Sequence, residues 1–159
     1  MKTAKAGRFL CQARKKFARS QYVIQASGDK HLKDCIGNLR KTSGSNYVLY
    51  DNGADPKNRK DDQEVRAELM SIDAYNQRDH EVWRRRFDII IPGSETRPFK
   101  PLKPADGIKN SYKSGDRLDV ILFADKRPVW DPKTKKFKLP FNGKAKVASA
   151  KNIQIVSKR

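Results

Sequence analysis

The sequence predicts a mostly β fold, in which short antiparallel strands close into a barrel or pack as a sandwich. Two observations carry this expectation. Apolar residues alternate with polar ones over runs of a few residues, and turn-forming residues interrupt the chain after almost every such run. The densest alternation is in Phe137 to Val156, where Phe137, Leu139 and Phe141 are spaced by Lys138 and Pro140, so one face of a strand is apolar and the other wet. Asn142-Gly143 tolerates the positive φ of a tight reversal, and Ile153, Ile155 and Val156 resume the apolar pattern, giving strand, turn, strand.

Taken from the amino terminus, Phe9-Leu10-Cys11 is a short apolar start that runs into the basic cluster Arg14, Lys15, Lys16 and Arg19. Tyr22-Val23-Ile24 is rich in β-formers. Ser27 to Lys30 reads as a turn or loop, and Ile36, Leu39 and then Tyr47 to Tyr50 suggest two strands joined by Thr42 to Ser45 and ended by the turn Asp51-Asn52-Gly53. Asp55 to Gln63 is polar with no apolar anchor and reads as an exposed loop. Glu64 to Ala74 fits two templates. Val65, Leu69 and Ile72 stand at helical spacing, Val65, Ala67 and Leu69 alternate as in a strand, and pattern alone slightly favours helix. Phe87 to Ile91 is a strand stopped by Pro92-Gly93, and Arg97 to Asp106 carries three prolines that exclude a central strand or helix interior. Arg117 to Ala124 is the strongest strand, followed by Pro128-Val129-Trp130 and the turn Asp131 to Lys133.

Composition sets the function classes. With 159 residues, 36% hydrophobic residues and a mean hydropathy of -0.87, the chain suits one domain, residues 1–159. Lys and Arg number 36 against 18 Asp and Glu, a formal charge of +18, which points to an anionic partner such as nucleic acid or an acidic membrane surface. Two cysteines, Cys11 and Cys35, are too few for a disulfide framework, so a reducing compartment fits. No apolar run is long enough to span a bilayer, and Met1 to Arg8 has no apolar core for a secretion signal, so membrane contact is expected to be peripheral.

Phe141, Gly143, Lys144, Ala148, Ser149, Lys151, Asn152, Ile153, Gln154 and Ile155 match, position by position, a run near the carboxyl end of one family's domain. The chain resembles the Tubby-like family. The likeness extends in order through Phe9-Leu10, Arg14-Lys15-Lys16, Tyr22-Val23-Ile24, Ile36-Gly37-Asn38-Leu39-Arg40 and Tyr50-Asp51-Asn52-Gly53. It continues through Arg66-Ala67-Glu68-Leu69, Ile89 to Gly93 and Pro128-Val129-Trp130. The resemblance implies an antiparallel β-barrel around a central apolar helix, and it implies a strand at Glu64 to Ala74. It also implies a basic pocket for phosphatidylinositol bisphosphate at the inner face of the plasma membrane, in adaptors that carry membrane proteins toward cilia. The family domain has further strands before Phe9 and its hydrophobic helix after Ile155, whereas this sequence stops at Ser157-Lys158-Arg159. The expected fold is therefore a Tubby-like barrel, or an incomplete one without that helix.

The candidate phosphoinositide site is Arg14, Lys16 and Arg40. Residues two apart in a strand share a face, so Arg14 and Lys16 project together, Lys15 faces away, and Arg40 joins if its strand lies nearby. Guanidinium donates paired hydrogen bonds to phosphate while ammonium acts as a point charge, so a mixed cradle suits vicinal ring phosphates. Secondary basic contacts are Lys15, Arg19, Arg85 and Arg86, the last two beside Trp83 at a strand edge that reads equally well as solvated. For an arbitrary basic run, solvated surface charge is the commoner outcome.

Metal and catalytic readings are weak. His31 and Cys35 have ligand-like spacing around Asp34, but His80 and Cys11 are distant and no Cys-x-x-Cys is present, so neither a metal nor another cofactor is expected. No phosphate-cradling glycine loop, nucleophile elbow or His-Glu-x-x-His occurs, and Asp61, Glu64, Glu68 and Asp88 form no pattern, so the chain is read as a non-enzyme. The expected partners are phosphatidylinositol bisphosphate or another anionic membrane lipid, with a membrane-protein cargo or trafficking complex beyond it. The expected location is cytoplasmic, at the inner plasma membrane or cilium, with the nucleus as an alternative. The rivals are a nucleic-acid-binding module, whose weakness is that Lys and Arg are spread from end to end, and a scaffold that binds an acidic protein surface.

Overall fold

The computed structural model describes residues 10–16, 20–26, 35–60, 64–93, 98–115, 119–147, 149 and 152–158. The described strands are β1 (Gln12–Lys16), β2 (Gln21–Gln25), β3 (Cys35–Lys41), β4 (Asn46–Tyr50), β5 (Glu68–Asp79) and β6 (Val82–Pro92). The helix α1 (Ile108–Lys113) follows, then β7 (Val120–Asp125), β8 (Val129–Asp131), β9 (Lys136–Lys138) and β10 (Ile155–Ser157). Eight strands form one antiparallel sheet in the order β1-β2-β3-β4-β5-β6-β7-β10, and β8 pairs with β9 separately. The mostly antiparallel β expectation is met. Among the described residues no ladder joins the β1 edge to the β10 edge.

β2 and β4 show why the alternation was readable. Gln21, Val23 and Gln25, and Asn46, Val48 and Tyr50, are buried, while the residues between them are half-buried. One face is thus the inner one. Polar groups on it are satisfied in pairs: Asn46 accepts from Thr42 Oγ1 at 2.7 Å and donates to Ser71 Oγ at 3.1 Å and Ile72 O at 3.2 Å. This ties the β3–β4 turn to β5.

β5 settles the ambiguity of Glu64 to Ala74 in favour of a strand, which begins at Glu68 and runs on to Asp79. Pairing with β4 on one side and β6 on the other gives its backbone two ladders, and that tertiary context overrides helical spacing. Its hairpin to β6 turns through His80 and Glu81, at φ 44 and 65.

α1 lies on the face that holds Ser71 and Asp73, with Ile108 fully buried, Ile108 N–H donating to Glu68 Oε2 at 2.8 Å and Lys109 paired to Asp73 at 2.9 Å. No helix among the described residues is long and apolar enough to cross a membrane.

The carboxyl-terminal hairpin is a correction. Asn142 and Gly143 adopt the expected positive φ, 49 and 78, but among the described residues no ladder joins the flanking segments. Phe137 lies in β9 against β8, and Ile155 and Val156 lie in β10 against β7. Leu139, Phe141 and the run from Lys144 to Val147 are in neither strand. That run contributes mostly short or charged side chains, so Phe137 pairs back with the preceding β8 in a local hairpin and Ile155 and Val156 pair at long range with β7. The amino-terminal expectation shifts similarly: Leu10 and Cys11 precede the strand, the basic residues form it, and Phe9, Ser27 to Lys30, Arg117 and Leu118 lie outside the described residues.

Candidate functional site

The site is set by strand register. In β1, Lys16 opposes Gln21, and Gln21 in turn opposes Arg40 in β3. Directly opposed residues present their side chains to the same face, so Lys16, Gln21 and Arg40 form one row across three strands. Arg14, two residues from Lys16, starts the parallel row Arg14, Val23, Asn38, Tyr50. Strand spacing of about 4.8 Å and a rise of about 3.4 Å place Lys16 roughly 10 Å from Arg40 and roughly 7 Å from Arg14, measured along the sheet. Long side chains at those separations are within reach of one another's charged ends. Arg14 and Lys16 are exposed, Arg40 is half-buried, and Gln21 between them is buried and donates to Asn38 Oδ1 at 2.8 Å.

Two further residues complete the cluster. Arg40 Nη1 lies 3.3 Å from Asp55 Oδ2, and Arg66 Nη1 lies 2.6 Å from the same oxygen. The guanidinium of Arg66 stands 4.0 Å above the Tyr50 ring, a desolvated cation–π geometry. Partial burial alone would raise the Asp55 carboxyl, but the Lys57 N–H, then Arg66 and Arg40, hold it below the usual carboxylate range. Burial raises Tyr50, and the neighbouring Glu68 carboxylate adds to the rise. Asp55 is therefore an anchored anion at the end of the segment expected to be an exposed loop, and Pro56–Asn58 forms a 3₁₀ turn that it caps.

Sequence reasoning missed Arg66 and Asp55 as site residues, because their approach depends on the backbone at Gly53. A Cβ there would come within 2.5 Å of Arg66 Cα and 2.6 Å of Arg66 N. Asp51 Oδ1 accepts from both Gly53 N and Ala67 N at 2.9 Å, and Ala54 bridges Val65. The Tyr-Asp-Asn-Gly run thus has a mechanical role: it clamps residues 51–54 against residues 65–67 and brings Arg66 beside Tyr50 and Arg40.

The secondary basic residues are not all gathered here. Lys15 opposes Tyr22 and so faces the other side of the sheet, as its parity requires. Arg85 is exposed on that other side, in the row of Asn76. Arg86 is 3% exposed and paired to Asp125 at 3.0 Å, which removes it from the solvated edge read from the sequence. Arg19, His31 and Asp34 lie outside the described residues. Among the described residues no group of three or more His, Cys, Asp and Glu could hold a metal.

With the sheet order and the basic row in place, comparison with known proteins is decisive. The model of the Tub family matches residues 1–159. The chain belongs to the Tub family. It is 25% identical to Tubby protein homolog 1 of Caenorhabditis briggsae, over 98% of this chain and 40% of that protein. It is 28% identical to Tubby-related protein 3 of Mus musculus, over 90% of this chain and 34% of that protein. Tubby-related protein 1 of Homo sapiens is 30% identical over 76% of this chain and 24% of its own length. The chain thus spans less than half the length of these relatives.

Proposed function

We propose that this Tub-family chain is a non-catalytic, phosphoinositide-binding peripheral membrane adaptor. In this reading Arg14, Lys16 and Arg40 grip the phosphates of a phosphatidylinositol bisphosphate headgroup. Arg66 backs them, held by Asp55 and Tyr50. The observation that supports it is the register that sets Lys16, Gln21 and Arg40 in one row with Arg14 beside it. Two exposed cations from an edge strand, next to an arginine oriented by a carboxylate, suit a headgroup that presents several phosphates at once. The formal charge of +18 adds attraction to an anionic leaflet, at about 1 kcal/mol per basic residue near the surface. Lys15 and Arg85, exposed on the other face, would contribute to that general field and not to the pocket. Such a module would work at the inner face of the plasma membrane or the cilium, tethering membrane-protein cargo there.

The test is flotation with vesicles containing phosphatidylinositol bisphosphate, comparing the native chain with the combined variant Arg14→Ala, Lys16→Ala, Arg40→Ala. Loss of headgroup preference with a retained, salt-sensitive background is expected. Unchanged preference would show that the pocket lies elsewhere. Displacement from these vesicles by duplex DNA at moderate salt would favour a nucleic-acid module instead.

A further inference from the structure

The turn between β3 and β4, Thr42 to Ser45, begins two residues after Arg40 of the basic row. Residues 41–45 carry no hydrophobic side chain and are all exposed. Ser43 O accepts from Asn46 N at 2.8 Å, which closes the turn, and Gly44 turns at φ 51. A Cβ at Gly44 would meet no atom within 4 Å, so the turn stands clear of the rest of the described chain. Both strands it joins lie inside the sheet order, β3 beside β2 and β4 beside β5, so its exposure is a property of the turn and not of an unpaired edge.

Among the serines and threonines of the sequence, Ser43 alone has an arginine three residues before it, and Lys41 adds a second cation two residues before. Kinases that choose substrates by charge set carboxylates against cations placed in this way ahead of the acceptor hydroxyl. The Arg40 side chain keeps 33% of its surface exposed, and its ion pair to Asp55 is long, at 3.3 Å, so the guanidinium is open to a competing carboxylate. The neighbouring hydroxyls fit less well. Thr42 Oγ1 donates to Asn46 Oδ1 at 2.7 Å, and Ser45 has no cation at either spacing. A phosphorylated serine carries about −1.5 to −2 charges at neutral pH. Three residues of extended chain span roughly 10 Å, so that charge stands beside Arg40, at the end of β3 from which the Lys16, Gln21, Arg40 row crosses to β1. At that distance, and with a Debye length of about 8 Å, screening leaves part of the interaction in place.

We propose that Ser43 is a phosphorylation site for a basic-directed serine/threonine kinase, and that its phosphate releases the basic row from anionic lipid. The release rests on the headgroup reading of Arg14, Lys16 and Arg40; the site itself does not. Ser43 Oγ attacks the γ-phosphorus of the ATP that the kinase supplies. The Oγ–P bond forms as the bond from that phosphorus to the β,γ-bridging oxygen breaks, ADP departs, and the hydroxyl proton passes to the kinase's carboxylate base. The new phosphate engages the cations of the row from within the chain and repels an anionic leaflet. Because Arg40 serves the kinase and the headgroup alike, the lipid-bound chain is a poor substrate and the modified chain a poor lipid binder.

The 159-residue chain is incubated with ATP, magnesium and the catalytic subunit of cyclic-AMP-dependent protein kinase, and the phosphate is located by peptide mass spectrometry. Modification at Ser43 is expected, abolished by Ser43→Ala and slowed at least about tenfold by Lys41→Ala, which removes one charge-assisted contact to the kinase. Modified and unmodified chains are then floated with vesicles containing phosphatidylinositol bisphosphate. The unmodified chain and Ser43→Ala should be retained equally, the modified chain should bind at least about tenfold more weakly, and phosphatase treatment should restore it. Chain bound to these vesicles beforehand should be modified more slowly than free chain. Modification of Ser43 only after thermal unfolding, or a phosphate placed elsewhere while Ser43 stays free, overturns the site. Undiminished retention of the fully modified chain overturns the release and leaves the lipid reading intact. Absence of any bisphosphate preference in the unmodified chain overturns the lipid reading, and the release with it, while the mass spectrum still decides the site.

Discussion

Asp55→Asn isolates the charge that organises the basic row. The substitution keeps a side-chain oxygen to receive the Lys57 N–H but removes the anion shared by Arg66 at 2.6 Å and Arg40 at 3.3 Å. Exposed ion pairs contribute about 0 to 1 kcal/mol, and breaking a buried pair costs about 3 to 5 kcal/mol. Asp55 and Arg66 are 26% and 15% exposed, between those limits, so a loss of about 2 kcal/mol is expected. In a domain of this size that corresponds to a fall of roughly 4 to 8 °C in Tm. The pH dependence gives an internal check. The folded state holds Asp55 below its ordinary value, so its stabilisation is present above that value and is lost as pH falls through the depressed one. The gap between native and variant chains, followed by urea unfolding, should therefore be full at neutral pH and close in strong acid. Phosphoinositide binding should weaken as well, since Asp55 orients both Arg40 and Arg66. An unchanged urea midpoint at neutral pH, or a gap that persists at low pH, would refute the ion-pair assignment.

Two other perturbations probe the supports of the same cluster. Gly53→Ala drives a Cβ into the Arg66 backbone, a contact that no rotamer change relieves, and should cost about 3 kcal/mol or more in urea unfolding. Glu68→Gln keeps an acceptor for Ile108 N–H while removing a buried charge. Burial raises the folded-state value of Glu68 above its ordinary 4.5, so its charge penalises the fold above the raised value, and the penalty disappears as pH falls below 4.5. The variant should therefore exceed the native chain in Tm at neutral pH, with the advantage vanishing in acid.

How much of this was legible follows from the range over which each feature is determined. β2 and β4 were readable because their buried and half-buried residues alternate with period two, a local property. The common face of Arg14 and Lys16 was readable for the same reason. Arg40 joins them only through two successive registers, which no single strand encodes. Arg66 was invisible as a partner because the close passage of Gly53 over its backbone brings it there. α1 was missed because six residues are too few for a period, and it is held by the burial of Ile108 and the Glu68 carboxylate. At Asn142-Gly143 the turn was local and correct, whereas the pairing of its flanks was decided by β7 and β8.

Arg14 and Lys16 belong to an edge strand of the described sheet, where Lys and Arg also serve to discourage edge-to-edge pairing. Charge alone therefore does not distinguish a lipid pocket from a protected edge, and headgroup geometry does. The decisive measurement is retention of the native chain on two vesicle preparations of equal surface charge, one containing phosphatidylinositol bisphosphate and the other phosphatidylserine alone. Stronger retention on the bisphosphate vesicles, persisting at physiological salt, is the predicted result; equal retention on both would contradict it.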